Sequence, residues 1–318
     1  MNLLESLRYL AALQQHRHFG RAALACHITQ PALSNAIRAL EAEFGVTIVR
    51  RGRQYEGLTP EGELALAHAH RMLHEAESLR QALVSRAGAP QGQLQIGAVP
   101  SAMPIAARFA VRLQAVHPGI QPVLRSLSSP EIEAGLDNLS LDLGLGYPSR
   151  PEAAQRRLAV WPLYDEHCFV LRCSAQATAG LAFGPPMAWR EAATLPLVLL
   201  TPEMHHRSIV DAAFREAGVA PVPALQTNSV LGLVLAVRAG SLAGVLPGAL
   251  VDTVRAQPGL LAQPLVAPEV RTPVAFLGTA AARPSLALQA ALDLAQSAPW
   301  RQEVGEHVGA LQTTATPG

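Results

Sequence analysis

Near the amino terminus, Leu3, Leu7, Leu10, Ala11 and Leu13 fall on one stripe at helical spacing. Ala22, Ala23 and Ala25 form a second, small-residue helix that a neighbour can approach closely, and His27 and Ile28 end it. Thr29 suits an N-cap, and Pro31 is tolerated in the first turn because its missing N–H would be unpaired there anyway. Leu33, Ile37, Leu40 and Phe44 then recur at spacings of three and four, which predicts a third helix with these four on its buried face. Thr47–Arg51 and Tyr55–Thr59 read as two short strands around Gly52. Three helices and a hairpin wing predict a winged helix-turn-helix.

The pattern then lengthens. Pro60 to about Ala87 holds no Pro after its first residue and no Gly after Gly62. Ala65, Ala69, Met72, Ala76, Leu79 and Leu83 make a coiled seam built largely of alanine, which lets backbones approach closely. A helix lying on its own domain would show the same stripe. Gly88-Ala89-Pro90-Gln91-Gly92 reads as a hinge. Beyond it short apolar strands alternate with helices, which predicts an α/β domain with parallel sheets. Expected strands are Leu94–Val99, Gln121–Arg125, Leu141–Gly146, His167–Leu171, Leu197–Leu200, Leu242–Leu246 and Thr272–Leu277. Expected helices include Ile105–Val116, Arg207–Ala217, Val230–Ala239 and Ser285–Ala295.

The polar positions supply the chemistry. Gln30, Ser34, Asn35 and Arg38 share the face of the third helix opposite its apolar stripe. Gln and Asn pair bidentately with adenine in a major groove, and Arg with guanine. Arg50, Arg51 and Arg53 on the wing suit the phosphate backbone, which gives affinity without sequence information. An ordinary amphipathic helix also has a solvated polar face; the attached basic wing favours DNA. Charge agrees locally: residues 1–58 carry seven Arg against four acids, although the whole chain is only +1. All 25 basic residues are Arg, and with abundant Ala, Gly and Pro this reads as genomic GC bias.

These segments resemble LysR-type transcriptional regulators. The resemblance rests on Leu7-Arg8-Tyr9-Leu10, His18-Phe19-Gly20-Arg21-Ala22-Ala23, Thr29-Gln30-Pro31-Ala32-Leu33-Ser34, Ile37-Arg38-Ala39-Leu40-Glu41, Phe44-Gly45-Val46 and Leu58-Thr59-Pro60-Glu61-Gly62. It implies DNA contacts at Thr29, Gln30, Pro31, Ser34 and Arg38. Asn35 stands where many members carry a basic residue, so base preference is expected to differ there. The resemblance further implies a DNA-binding domain over 1–59, a dimerising linker helix over 60–87, a hinge over 88–92 and a two-lobed, periplasmic-binding-protein-like effector domain over 93–300. Lobe I would be 93–163 with 267–300, lobe II 164–266, and 301–318 a tail. It implies a homodimer or homotetramer on an inverted-repeat promoter site, with RNA polymerase a further partner.

Ligands in open α/β sheets bind beyond the carboxyl ends of strands, where helix N-termini attract anions. Ser101 and Ala102, Ser128 and Ser129, Thr201, and Asn228 lie at such junctions, and His205 at the start of the next helix. N-capping explains any one hydroxyl; their joint placement predicts a cleft for a small polar or anionic effector. Met1–Ala25 and Thr201–Met204 also resemble regulators encoded beside formate dehydrogenase genes, which points to formate metabolism.

Other chemistry is weak. Three cysteines suggest a reducing cytoplasm, and a thiol switch at Cys168 or Cys173 is disfavoured. His205 and His206 diverge by about 100° on a helix and do not chelate together. His70 and His74 are a poor surface metal pair. No Gly-rich phosphate loop or nucleophile elbow is present, so no cofactor, metal or catalytic residue is expected. Glu5 and Arg8 interrupt the first apolar stretch and no apolar run nears the ~20 residues that span a bilayer, which predicts a cytoplasmic protein. The alternative is a small-molecule-binding or enzymatic α/β protein whose terminal helices only mediate assembly.

Overall fold

The computed structural model describes residues 2–51, 55–84, 89–148, 158–174, 179–279 and 284–308. The chain forms two compact units, 1–90 with 134–141 and 91–133 with 142–318.

In the first unit, α1 (Leu3–His16), α2 (Phe19–Ala25) and α3 (Gln30–Phe44) precede the antiparallel hairpin β1 (Val49–Arg51) and β2 (Tyr55–Leu58), and α4 (Pro60–Val84) follows. Leu7, Leu10, Leu13, Ala22, Ala23, Leu33, Ile37 and Leu40 form its core with Ile48, Val49 and Leu58. The expected buried stripe of α3 holds except at Phe44, which is 51% exposed. Phe44 is the last residue of α3, directly before the left-handed Gly45 that ends it, and there is no further turn to carry its ring over the core.

The alanine seam of α4 divides in two. Ala69 is buried in the core of the first unit with Ala65 packed against it, while Met72, Leu79 and Leu83 are exposed. Small side chains at 65 and 69 allow α1 and α4 to pack closely. Thr59 starts α4: its hydroxyl donates to the Thr47 carbonyl (2.6 Å) and accepts from the Gly62 N–H (3.0 Å). Gly62 is required by close approach, since a Cβ there would lie 2.1 Å from the Ile48 carbonyl oxygen.

The second unit opens with β3 (Gly92–Ala98), α5 (Met103–Val116), β4 (Ile120–Ser126), α6 (Ser129–Asp137), β5 (Leu143–Gly146) and the long β6 (Leu158–Cys173). There follow β7 (Ala182–Phe183), β8 (Met187–Ala188), α7 (Trp189–Ala192), β9 (Leu197–Leu200), α8 (His205–Glu216), β10 (Leu225–Thr227), α9 (Val230–Arg238) and β11 (Ala243–Pro247). α10 (Gly248–Asp252), β12 (Leu260–Val266), β13 (Arg271–Thr279), α11 (Leu286–Gln296) and α12 (Ala298–His307) complete it. The strand order is β10-β9-β11-β6-β13-β5-β3-β4.

The sheets are mixed, which corrects the parallel expectation. β3 runs parallel to β4 and β5, and β9 to β10 and β11, but β6 is antiparallel to β13, β11 and β12. The reason is β6 itself. It pairs β13 from Leu158 to His167, then β11 and β12 from Cys168 onward, so one strand belongs to both lobes and β13 returns beside it. The change of sheet falls between His167 and Cys168, later than the expected boundary at 163/164.

The expected tail is also corrected. Residues 298–307 form α12, whose Trp300 and Val304 are buried, with Trp300 5.3 Å from the Phe109 ring. Ser297 caps it by accepting from the Trp300 N–H, and Pro299 occupies its first turn. Residues 309–318 lie outside the described residues. No helix among the described residues is long and apolar enough to cross a membrane.

Candidate DNA-reading face and effector cleft

The start of α3 is fixed by Thr29, whose hydroxyl accepts from the Ala32 N–H at 3.3 Å. With Leu33, Ile37 and Leu40 facing the core, Gln30, Pro31, Asn35 and Arg38 are exposed and Ser34 is partly so. Arg38 Nη1 donates to Asn35 Oδ1 (3.4 Å), so the residue that departs from the family pattern also orients the guanidinium beside it. Glu41 Oε1 accepts from the Ile48 and Val49 N–H groups, which ties the wing to this helix. Arg50 is exposed on β1; Arg53 and the side chain of Arg51 lie outside the described residues.

In the second unit, a cleft of about 210 Å3 runs between the two lobes. Val99, Ser101, Ser128, Ser129 and Tyr147 line it from lobe I; Glu203, Met204, His205, His206 and Ser208 line it from lobe II. The structure therefore brings together Ser101, Ser128, Ser129 and His205 of the expected set. The other three fall outside the lining. Ala102 is fully buried as the N-cap of α5, Thr201 turns its hydroxyl to Glu203 Oε1 (2.6 Å), and Asn228 is exposed before α9.

N-capping accounts for some of these hydroxyls and not others. The Glu131 carboxylate accepts from the N–H (2.8 Å) and hydroxyl (2.7 Å) of Ser128, the reach-back arm of a capping box. Ser229 caps α9 through the Gly232 N–H. Ser101 instead bonds the Tyr147 hydroxyl at 2.7 Å. The Ser129 hydroxyl is buried without a partner.

Two residues, one lining the cleft and one buried behind it, were missed by sequence reasoning. Tyr147 follows the carboxyl end of β5, where the rule applied to Ser101 would have found it. Its ring lies 4.8 Å from that of His205, and its hydroxyl also donates to Glu166 Oε2 (3.4 Å). Tyr164 donates to the other carboxyl oxygen at 3.3 Å. Burial pushes the Glu166 carboxyl up to about 8 against the opposing effect of these two hydroxyl donors, so it is largely protonated at neutral pH. Burial, then Glu166, raises both tyrosines well above the usual phenol range. A run of polar residues inside β6 concealed Glu166, since it breaks the apolar pattern of a strand.

Burial, and after it the neighbouring His205, lowers His206 to about 4 against the opposing effect of a hydrogen bond to the Val245 backbone, so the ring is neutral. Cys168 is pushed up to about 12 by burial, the opposite of a reactive thiol. Cys26, Cys168 and Cys173 are free, and no cysteine lines the cleft among the described residues. Among the described residues no three His, Cys, Asp or Glu are grouped to hold a metal ion.

Residues 4–63 match the family described as "Bacterial regulatory helix-turn-helix protein, lysR family", and residues 87–299 match "LysR substrate binding domain". The chain is 39% identical over 122 residues to an SDS degradation transcriptional activation protein of a Pseudomonas species. That alignment spans 38% of this chain and 40% of the relative, less than half its length. It is 29% identical over 285 residues to the DNA-binding transcriptional dual regulator OxyR of Escherichia coli K12, covering 86% of this chain and 88% of that one. A full-length, cysteine-substituted OxyR from Pseudomonas aeruginosa superposes with a TM-score of 0.66 at 27% identity, over 92% of this chain and 97% of its own. These relatives are regulators rather than enzymes, and none of the three is named for formate, so that expectation gains no support. Taken with the winged helix and the two-lobed cleft, the matches over both segments establish that this chain belongs to the LysR family of bacterial transcriptional regulators.

Proposed function

We propose that this protein is a sequence-specific DNA-binding regulator whose activity is set by a small polar effector held between the two lobes. The observation that carries the DNA half is the exposed face of α3, where Gln30, Asn35 and Arg38 project from a helix anchored by Leu33, Ile37 and Leu40. Direct readout falls to Gln30, Ser34, Asn35 and Arg38; Thr29 and Pro31 set the helix start, and Arg50, Arg51 and Arg53 would meet phosphates. The exposed Met72, Leu79 and Leu83 on α4 support assembly through that helix, which would match an inverted-repeat site. The effector half rests on Ser101, Ser129, Tyr147 and His205 lining one cleft. Closure of the lobes around a ligand is the signal in this reading, and contact with RNA polymerase is the downstream step.

A gel-shift on the intergenic DNA upstream of the gene tests it. Specific retention at moderate salt, altered by a ligand that also raises the melting temperature, is the expected result. Equal retention of unrelated DNA would sink the regulator reading.

A further inference from the structure

Among the described residues, five buried side-chain polar atoms lack a partner, and two of them, Ser129 Oγ and His206 Nε2, belong to residues that line the cleft, one from each lobe. Both side chains belong to residues only 5% exposed. A buried polar atom left unsatisfied is destabilising and demands an explanation, such as a ligand that completes it.

The chemistry of the two atoms narrows that ligand. His206 bonds the Val245 carbonyl through its ring, and since Nε2 is the unpartnered nitrogen, the proton sits on Nδ1. Burial keeps the imidazole neutral, so the unpartnered Nε2 carries a lone pair. It calls for a donor. The surrounding backbone calls for an acceptor. α8 begins at Met204, which lines the cleft and makes no side-chain cap, so the first-turn N–H groups of α8 favour an oxygen carrying negative charge. The Ser129 hydroxyl serves either role. Glu203, whose carboxyl is held below its usual range by the Thr201 hydroxyl, adds a negative charge to the lining and disfavours a second charge on the ligand. At about 210 Å3 the cleft is smaller than the roughly 300–1,000 Å3 of drug-sized sites.

Resting on the effector reading above, we infer that the cleft takes a small monoanionic hydroxycarboxylate, its hydroxyl donating to His206 Nε2 and its carboxylate accepting from Ser129 and the N-terminus of α8. His206 is then the residue that separates a hydroxylated acid from its deoxy counterpart. A site built around a buried acceptor rejects an analogue that lacks the donor.

Matched pairs test this on the full chain: glycolate with acetate, lactate with propionate, and 3-hydroxybutyrate with butyrate, read as thermal shifts. At least one hydroxy acid should raise the melting temperature by several degrees at millimolar concentration while its deoxy partner leaves it unchanged. His206→Leu should abolish that shift, His206→Gln, which restores an acceptor, should recover part of it, and Ser129→Ala should reduce it. Equal shifts within each pair, or an undiminished shift in His206→Leu or Ser129→Ala, would overturn the assignment. So would no shift from any of the six acids. The gel-shift on the wild-type protein without ligand reports on the regulator reading separately. Because the pairwise comparison needs only wild-type protein, the inference stays open to refutation even if the His206 variants fail to fold.

Discussion

His307, in the last turn of α12, places its Nδ1 2.8 Å from Oδ2 of the buried Asp252 in α10. The same carboxylate accepts from Arg108 of α5 at 3.3 Å and from Arg255 at 2.7 Å. One acid thus joins α5 and α12 of lobe I to α10 of lobe II, on residues that line no part of the effector cleft. The Asp252→Asn substitution keeps the shape and removes the charge. Arg108 and Arg255 are 41% and 45% exposed, so solvent screens much of the loss, and a destabilisation of about 1–2 kcal/mol is expected. Urea denaturation of the wild type and the variant measures it; an unchanged midpoint would mean the cluster contributes nothing net.

Glu166 should make stability depend on pH. Its folded value of about 8 lies above the ordinary carboxyl value of 4.5, so the folded state holds its proton more tightly than the unfolded chain. The sign follows: this contribution is complete below about pH 4.5, falls as pH rises, and is gone above about 8. Thermal unfolding of the wild type from pH 5 to 9 should show that loss, and Glu166→Gln should flatten it. A variant with the same slope as the wild type would place the titrating group elsewhere.

Gly62→Ala should be among the most damaging single changes in the first unit. The added methyl meets backbone, the Ile48 carbonyl, which has no rotamer by which to yield. A loss of about 1–3 kcal/mol or more is expected, with weakened DNA binding, while any ligand-dependent change in the second unit persists. Limited proteolysis combined with a DNA titration separates the two effects.

Arg50 and Gln30 should fail in different ways. Arg50→Ala should weaken binding to every sequence and lower the salt slope by about one unit. Gln30→Ala should relax preference at one base pair, by about 1–3 kcal/mol of discrimination. Salt titrations with the operator and a set of single-site variants test both; a uniform loss in Gln30→Ala would move that residue to the phosphate class. Asn35→Ala, by releasing Arg38, should broaden preference at the guanidinium's own contact as well as at its own.

Helical periodicity made the first unit legible, because three short helices around one core each bury a stripe that the sequence displays. Thr29 at the start of α3 and Leu197–Leu200 as a strand were readable to the residue. β6 was not. Only its apolar end, His167–Leu171, looks like a buried strand, while Leu158–Glu166 mixes in polar and aromatic residues, of which Glu166 is satisfied by Tyr147 and Tyr164. Glu166 escaped for a related reason: its partner Tyr147 lies beyond the end of another strand, and no local spacing encodes the pairing. The junction hydroxyls were found by position, yet their roles diverged through partners invisible in sequence, with Glu131 taking Ser128 and leaving Ser129 open. Likewise α12 was hidden by its low amphipathicity, since only Trp300 and Val304 mark its buried side.

The absence of space at Gly62 has a mechanical consequence. With the first turn of α4 pressed on the backbone of Ile48, directly before β1, helix and wing move together as a lever with its fulcrum at that residue. α4 runs from Pro60 to Val84, a length of about 36 Å at 1.5 Å per residue. A tilt of roughly 5° about that fulcrum carries its far end about 3 Å, by the same helical rise. Displacements at the distal end of the rod are thereby geared down at the wing, and coarse motion there becomes fine positioning of Arg50 and the reading face of α3.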